Sequence, residues 1–281
     1  MLFKNTCLCI SMLILVALSC KHRNNKPAAV YSNIAGTVVK KNIPIEYPAT
    51  IHVVVALCDN QYQGIVKVPA AIGNGQQPAT NLYWGSTYGV KSFFSRKQSD
   101  WQLLQSQKSI SDTILERLIF KHKTKDVYLM ADAYDGRYIK RATENMLEYA
   151  SGKRTVEATV NNKPILFGAA SEVVCYTGHD GLMDFTIPTA FHKQDDKSRK
   201  AIVLACYSRR FFGAHLTYTG AAPLLWSTGL MAPEAYTLHD ALAALLNNGD
   251  DKAVCNAAAK AYAKYQKCNL KAAQNLLVNG W

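Results

Sequence analysis

The sequence predicts an α/β fold, a three-layer sandwich in which helices cover both faces of a mostly parallel sheet. Five short apolar runs have the composition of β-strands, and segments with helical spacing lie between them. Several runs are continuously apolar rather than alternating, which is typical of strands buried on both faces. The predicted strands are residues 51–58, 126–131, 172–177, 200–205 and 223–228.

Two segments between the predicted strands have helical patterns. Residues 110–123 place apolar side chains on one stripe, after a capping pattern that begins at Ser109. Residues 142–152 end at Gly152, and glycine is a common residue just beyond the end of a helix. We therefore expect one helix in each segment.

The composition becomes helical after the fifth predicted strand. Pro233 stands at the start of a helix, and Gly249 lies just past its end. An Ala-rich second helix follows, and Asn269 is placed to cap a third. We expect residues 233–281 to form a helical C-terminal element that packs on the main domain.

The bulk composition suits one main domain with short appendages, since 49% of the 281 residues are hydrophobic and 19% are charged. The formal charge is +12, but the basic residues form short clusters without the interleaved aromatic side chains of a nucleic-acid platform. We therefore expect no nucleic-acid partner. A basic surface that lies near anionic lipid is the simpler interpretation.

Residues 1–20 have the layout of a bacterial signal peptide, with a basic start and an apolar middle. The apolar stretch is about a dozen residues, short of the ~20 that a membrane-spanning helix needs. ALSC at 17–20 resembles the lipobox of bacterial lipoproteins, which implies lipidation of Cys20 and a membrane anchor. Ordinary cleavage and a retained anchor are the alternatives.

The resulting location would be the bacterial cell envelope, on the periplasmic or the surface face of a membrane. Residues 21–50 are polar and basic, and we expect them to form a linker that leads into the domain.

The cysteine count predicts at least one free thiol. Three of the eight cysteines lie in residues 1–20, which leaves an odd number for an oxidising compartment. Cys255 and Cys268 would lie about 20 Å apart on one continuous helix, so they can pair only if the chain turns between them. No spacing is of the C-x-x-C type, so we expect no metal. The remaining cysteines are Cys58, Cys175, Cys206, Cys255 and Cys268.

Polar motifs follow the third and fourth predicted strands. The third runs into GHDG at 178–181 and the fourth into Cys206. Ligands bind beyond the carboxyl ends of parallel strands, so we expect both motifs to face one crevice. The imidazole of His179 would favour the thiolate of Cys206 and deliver a proton to a leaving amine. Backbone N–H groups of Asp180, Gly181 and Cys206 are candidates for an oxyanion hole.

These motifs resemble those of caspase-like cysteine peptidases, a group that includes caspases, metacaspases, gingipains, clostripain and legumain. VVCYTGHDGLMDF (173–185) and AIVLACYSRRFF (201–212) carry the resemblance, and ACYS is most similar to bacterial legumain-like members. The resemblance implies a caspase-like sheet and a catalytic domain over residues 51–232. It also implies hydrolysis of peptide bonds in peptide or protein substrates by Cys206 and His179, through a thioester and without a cofactor.

Two positions depart from the family pattern. Asp180 stands where these families usually have glycine directly after the histidine, and Arg209 stands where glycine often follows Ala-Cys-x-Ser. The first change affects the oxyanion geometry, and the second affects substrate entry or charge preference. Two alternatives therefore stay open. One is a catalytically inactive caspase-like binding module, and the other is an envelope scaffold lipoprotein.

Other residues are candidates for the walls of the crevice. The aromatic stretch at 81–94 either lines it or belongs to the core, while Asp184 and Glu234 would give the first specificity pocket an acidic character. Residues at the ends of the first and fifth strands are expected to bind substrate, by position and, for the fifth strand, by the resemblance. They are Asp59, Asn60, Trp226, Ser227 and Thr228.

Overall fold

The computed structural model describes residues 49–281. The predicted signal peptide, the lipidation site at Cys20 and nearly all of the predicted linker lie outside the described residues. Within them the fold is α/β, with one large mixed sheet that is mostly parallel and six α-helices. Among those helices, none combines the length and the apolar composition that a membrane crossing needs.

The large sheet has eight strands in the order β10-β9-β8-β7-β1-β4-β3-β2. The five central strands, from β9 to β4, run parallel, whereas β10, β3 and β2 pair antiparallel with their neighbours. The strands are β1 (Ala49–Ala56), β2 (Trp101–Lys108), β3 (Ile114–His122), β4 (Val127–Tyr134), β7 (Val173–Thr177), β8 (Lys200–Leu204), β9 (Ala222–Ser227) and β10 (Leu277–Val278). A separate hairpin consists of β5 (Thr155–Val160) and β6 (Lys163–Gly168).

Helices cover both faces of this sheet. Successive side chains of a strand point to opposite faces, so Val53 and Val55 of β1 belong to one core while Val54 and Ala56 belong to the other. The first core includes α1 (Val90–Phe94), α4 (Ala235–Leu246), α5 (Asp251–Gln266) and α6 (Leu270–Leu276), and the second includes α2 (Ile139–Ala150) and α3 (Ser208–Thr219). All eight residues of β1 are buried. The three layers and the strands buried on both faces match the sequence prediction.

The predicted helix over residues 110–123 is wrong, because this segment forms β3. The apolar residues that suggested a helical stripe recur at every fourth position, and this spacing also fits one face of a strand. Burial along β3 follows the strand period, since Ile114, Leu118 and Phe120 are buried. Pairing with β2 on one side and β4 on the other decides the outcome.

The C-terminal segment contains the three predicted helices and one strand that was not predicted. The side chains of Asp250 and Asn269 accept hydrogen bonds from backbone N–H groups at the starts of α5 and α6. β10 then pairs with β9 and extends the sheet, so this element joins the main sheet directly. Cys255 and Cys268 carry free thiols.

A buried ion pair links the centre of the sheet to its helical cover. Arg117 donates hydrogen bonds to both carboxylate oxygens of Asp132 at 2.6 and 2.7 Å, and His52 Nε2 lies 3.2 Å from the same group. Burial raises the pKa of Asp132, but the hydrogen bonds from Arg117 and His52 outweigh this effect and lower it. The His52 ring also stacks on Tyr149 of α2.

Candidate active site

The strand order fixes where a ligand would bind. The parallel strands β1 and β4 lie side by side, and the chain then crosses to the other side of β1 to form β7, β8 and β9. In such sheets the crevice beyond the carboxyl ends of the strands, at this change of direction, is the usual binding place. His179 lies just after β7 and Cys206 just after β8, and both line one open cleft of about 300 Å³.

The turn that carries Cys206 is held by a pair of serines. Tyr207 follows the cysteine in the left-handed region, with φ of 50°, and α3 begins at Ser208. Ser208 Oγ donates to the Val203 carbonyl oxygen at 2.8 Å, and Ser227 Oγ accepts from the Ser208 N–H at 3.2 Å. Ser227 Oγ also donates to the Ala205 carbonyl oxygen. Ser227, which was predicted to bind substrate, therefore fixes the turn instead of lining the cleft.

Ser227→Ala is expected to destabilise the folded chain by about 1–3 kcal/mol, because it leaves the buried Ser208 N–H and Ala205 carbonyl without their partner. Urea unfolding measures this change directly. Thr228→Ala is the matched control, since Thr228 is exposed and only contacts the carboxyl end of α6. Equal stability of the wild-type and Ser227→Ala chains would contradict the role of Ser227 in the turn.

The thiol of Cys206 is half-buried and lies against the backbone of Met231. Sγ is 3.4 Å from both the carbonyl oxygen and the nitrogen of Met231. Burial raises the pKa of the thiol, the Met231 N–H lowers it by a smaller amount, and the Asp180 carboxylate raises it further. The N-terminus of α3 next to Cys206 acts in the opposite sense, since its partial positive charge favours a thiolate. With the pKa raised, the thiol needs a base to ionise at neutral pH.

A base lies in the same cleft. Gly178 lets the chain pass close to β1 just before His179, since a Cβ at residue 178 would lie 2.7 Å from the Ala56 carbonyl oxygen. His179 Nε2 is 2.7 Å from Asp184 Oδ2, and this oxygen also accepts the Gly64 N–H at 2.9 Å. A carboxylate only accepts hydrogen bonds, so Nε2 carries the hydrogen and Nδ1 of the neutral ring keeps a free lone pair.

Asp180 is a buried carboxyl next to this pair. Its Oδ1 accepts the Leu182 N–H at 3.0 Å, and Oδ2 has no hydrogen-bond partner among residues 49–281. Burial raises its pKa from 3.8 to about 7, against the Leu182 hydrogen bond and with a smaller contribution from Asp184. Asp180 therefore titrates near neutral pH, beside the proposed nucleophile.

Asp180→Asn is expected to stabilise the folded chain above pH 7. The folded protein holds the Asp180 proton more tightly than the unfolded chain, so this contribution to stability is complete below pH ~4 and is lost as the pH rises through about 7. The gain of the variant should therefore grow between these limits and level off at about 2–4 kcal/mol. The same change should lower the pKa of Cys206, since the Asp180 charge raises it.

Urea unfolding at pH 4 and pH 8 measures the gain, and the pH dependence of Cys206 alkylation reports the thiol. Asp196→Asn is the control, because this carboxylate is exposed and its removal should change neither quantity. A difference between wild type and Asp180→Asn that does not vary with pH would show that Asp180 does not titrate in this range.

The predicted oxyanion donors are only partly brought together. Cys206 lines the cleft, and its N–H donates to no group of the described chain. Asp180 and Gly181 are buried beside the cleft but are not among the residues that line it. Of the three predicted donors, only Cys206, next to the start of α3, belongs to a residue that lines the cleft.

The other predicted substrate-binding side chains also make structural contacts and are not among the residues that line the cleft. Asp59 accepts the N–H groups of residues 61 and 62. Asn60 closes the same loop through two hydrogen bonds to Val68. Trp226 is buried and packs edge-to-face with Trp281, and Thr228 contacts the end of α6. These residues stabilise the segments around the cleft and do not line it.

Sequence reasoning missed most of the residues that line the cleft. The aromatic stretch at 81–94 contributes Tyr83 to the cleft and Trp84, Phe93 and Phe94 to the core, so both interpretations of it hold for different residues. The hydrogen bond of Asp184 to His179 also escaped prediction, because nothing in the sequence spacing indicates which way a loop carboxylate points. The unpredicted lining residues include Ile65, Val66, Met183, Leu230, Met231 and Pro233.

Comparison with known proteins gives no match. No protein-family model, curated protein or solved structure matches this chain significantly.

The chemistry of the cleft follows from three groups. A thiol lies at a helix N-terminus, an imidazole held by a carboxylate faces the same cleft, and an unbonded backbone N–H lies beside the sulfur. Within the described range no three His, Cys, Asp or Glu side chains are grouped so that they could hold a metal ion. A nucleophile, a base and an oxyanion donor are the groups that acyl transfer requires.

Proposed function

We propose that this chain is an exported cysteine peptidase, which hydrolyses peptide bonds with Cys206 as nucleophile and His179 as proton-transfer partner. The observation that carries the proposal is that both residues line one cleft at the carboxyl edge of the parallel strands. The resemblance of the two motifs to caspase-like peptidases supports it. We also propose that Cys20 is lipidated and anchors the chain in the bacterial cell envelope.

In the proposed reaction the thiol proton of Cys206 passes to Nδ1 of His179, and Sγ forms a bond to the carbonyl carbon. The oxyanion accepts the Cys206 N–H. When the C–N bond breaks, the imidazolium returns the proton to the leaving amine, and a thioester remains. Water then adds to the thioester carbonyl, and the imidazole takes one of its protons. When the C–S bond breaks, the imidazolium passes this proton to the departing thiolate. Asp184 stabilises the imidazolium throughout.

A peptidyl acyloxymethyl ketone tests this proposal, because it alkylates a thiol that a neighbouring histidine activates. We expect stoichiometric labelling of the full chain, mapped by mass spectrometry to Cys206. His179→Ala should slow this labelling at pH 7 by about 10²-fold or more. Cys268 is the internal control, since it is exposed and lies away from the cleft, and a simple alkylating agent should modify it equally in both chains.

An inactive binding module is the second candidate function, and the contacts and raised pKa of the Cys206 thiol favour it. Sγ is engaged with both the N–H and the carbonyl of Met231, and burial raises its pKa. For this candidate Cys206 would stay unlabelled in the folded chain while Cys268 reacts. Labelling of Cys206 that does not depend on His179 would likewise contradict the proposed mechanism.

A further inference from the structure

The walls of the cleft beside Cys206 are almost entirely apolar, and the proposed hydrolysis does not by itself require this. Apart from the two reacting residues, its walls consist of aliphatic, aromatic and glycine positions. Among residues 49–281, no carboxylate, ammonium, guanidinium or amide side chain lines it. The residues that form the apolar surface are Ile65, Val66, Tyr83, Met183, Leu230 and Met231.

Three of these side chains are unusually exposed. The exposed fraction is 92% for Val66, 67% for Leu230 and 41% for Met183. They come from three different segments: the loop after β1, the turn after His179 and the loop after β9. An apolar rim of this kind around a cleft is typical of a surface that an apolar ligand covers.

Two carboxylates near the cleft, Asp184 and Glu234, have other partners, and a third, Asp180, is fully buried and does not line the cleft. Asp184 accepts hydrogen bonds from His179 and Gly64, and Glu234 accepts them from the Tyr236 hydroxyl and the Gln266 amide. The acidic pocket that the sequence suggested is therefore not formed by these carboxylates. Arg209 is exposed on α3 and is not among the residues that line the cleft. A charged substrate side chain would therefore meet no carboxylate, ammonium or guanidinium group on the walls that residues 49–281 form.

We infer that the cleft binds a large apolar side chain, such as leucine, methionine or phenylalanine, on the residue whose carbonyl carbon Cys206 attacks. This inference rests on the proposed function. The residue that supplies the attacked carbonyl is the acyl residue, and its side chain starts two bonds from the attacked carbon. The side chain of the residue on the leaving-amine side starts one bond further away. With the carbonyl carbon at Sγ, the side chain of the acyl residue reaches the apolar walls. Its burial against them selects apolar over charged substrates.

Fluorogenic peptides that differ only at the acyl residue test the inference. The full chain should cleave the leucine and phenylalanine peptides with kcat/KM at least tenfold above that of the aspartate, asparagine and arginine peptides. Val66→Asp should lower kcat/KM for the leucine peptide about tenfold and raise it for the arginine peptide. Leu166→Asp is the matched control, because Leu166 is an exposed apolar residue of β6 outside the cleft, and it should change neither value.

The outcomes separate this inference from the proposed function. Cleavage that disappears in Cys206→Ala but favours a charged or amide side chain would overturn the inference and leave the peptidase intact. A preference for leucine that Val66→Asp does not alter would also overturn it, since the selecting surface would lie elsewhere. Absence of any Cys206-dependent cleavage across the peptide set would overturn both.

Discussion

Cys206→Ala is expected to reduce peptide hydrolysis by about 10⁶-fold, which in practice means loss of detectable turnover. Alanine has no sulfur to form the thioester, and no other thiol lines the cleft within the described part of the chain. Because the Cys206 thiol makes only long contacts of 3.4 Å to Met231, its removal should cost little stability. The measurement is kcat/KM with a fluorogenic peptide, together with the urea midpoint of the variant.

Cys268→Ala is the control for thiol loss alone, and it should keep the wild-type rate because Cys268 is an exposed thiol outside the cleft. A second readout is the acyl-enzyme itself. Rapid acid quenching of the wild-type reaction should give a mass increase on Cys206, and the variant should show none. Wild-type turnover in a folded Cys206→Ala chain would eliminate the thioester mechanism.

The central part of the fold could be predicted because the pattern that marks each strand lies within the strand's own sequence. The five parallel strands are short apolar runs, and burial on both faces leaves a continuous pattern that the sequence displays directly. The antiparallel edges were harder. The apolar residues of β3 recur at every fourth position, which fits a helix as well as a strand. β10 has only two residues, too few to show a periodic pattern. β10 is set by pairing with β9, which lies about fifty residues earlier, and β3 by pairing with its neighbours in the chain, β2 and β4; the apolar spacing within each segment records neither pairing.

The candidate site divides in the same way. His179 and Cys206 were predicted as neighbours because strand ends fix their positions, and the structure brings both to one cleft. The residues that surround them come from loops, where spacing does not determine direction. Asp59 and Asn60 follow the right strand, but their side chains turn inward to satisfy loop N–H groups. Val66, further along the same loop, reaches the cleft instead.

Asp184 is the residue whose loss should matter most after Cys206 and His179. Its carboxylate accepts the Nε2 hydrogen of His179 at 2.7 Å and so leaves Nδ1 as the basic nitrogen. Asp184→Asn keeps the shape but removes the charge, and a single position, that of Oδ2, faces both the Gly64 N–H and Nε2 of His179. An amide oxygen there keeps both hydrogen bonds but leaves the imidazolium without its counter-charge, whereas an NH2 group there donates to Nε2 and favours the ring tautomer with hydrogen on Nδ1. We therefore expect kcat to fall by about 10²–10⁴-fold with KM nearly unchanged.

Glu234→Gln separates this effect from a general loss of negative charge near the cleft. Glu234 is bonded to Tyr236 and Gln266 rather than to the histidine, so its amide variant should keep kcat within about threefold of wild type, as changes away from reacting groups usually do. If both variants lost activity equally, the general loss of negative charge near the cleft, and not the contact with His179, would be the cause. If Asp184→Asn kept the wild-type kcat, His179 would take its orientation from the loop backbone alone. The alkylation rate of Cys206 gives an independent measure, since it follows the basicity of the imidazole and does not require a peptide to bind.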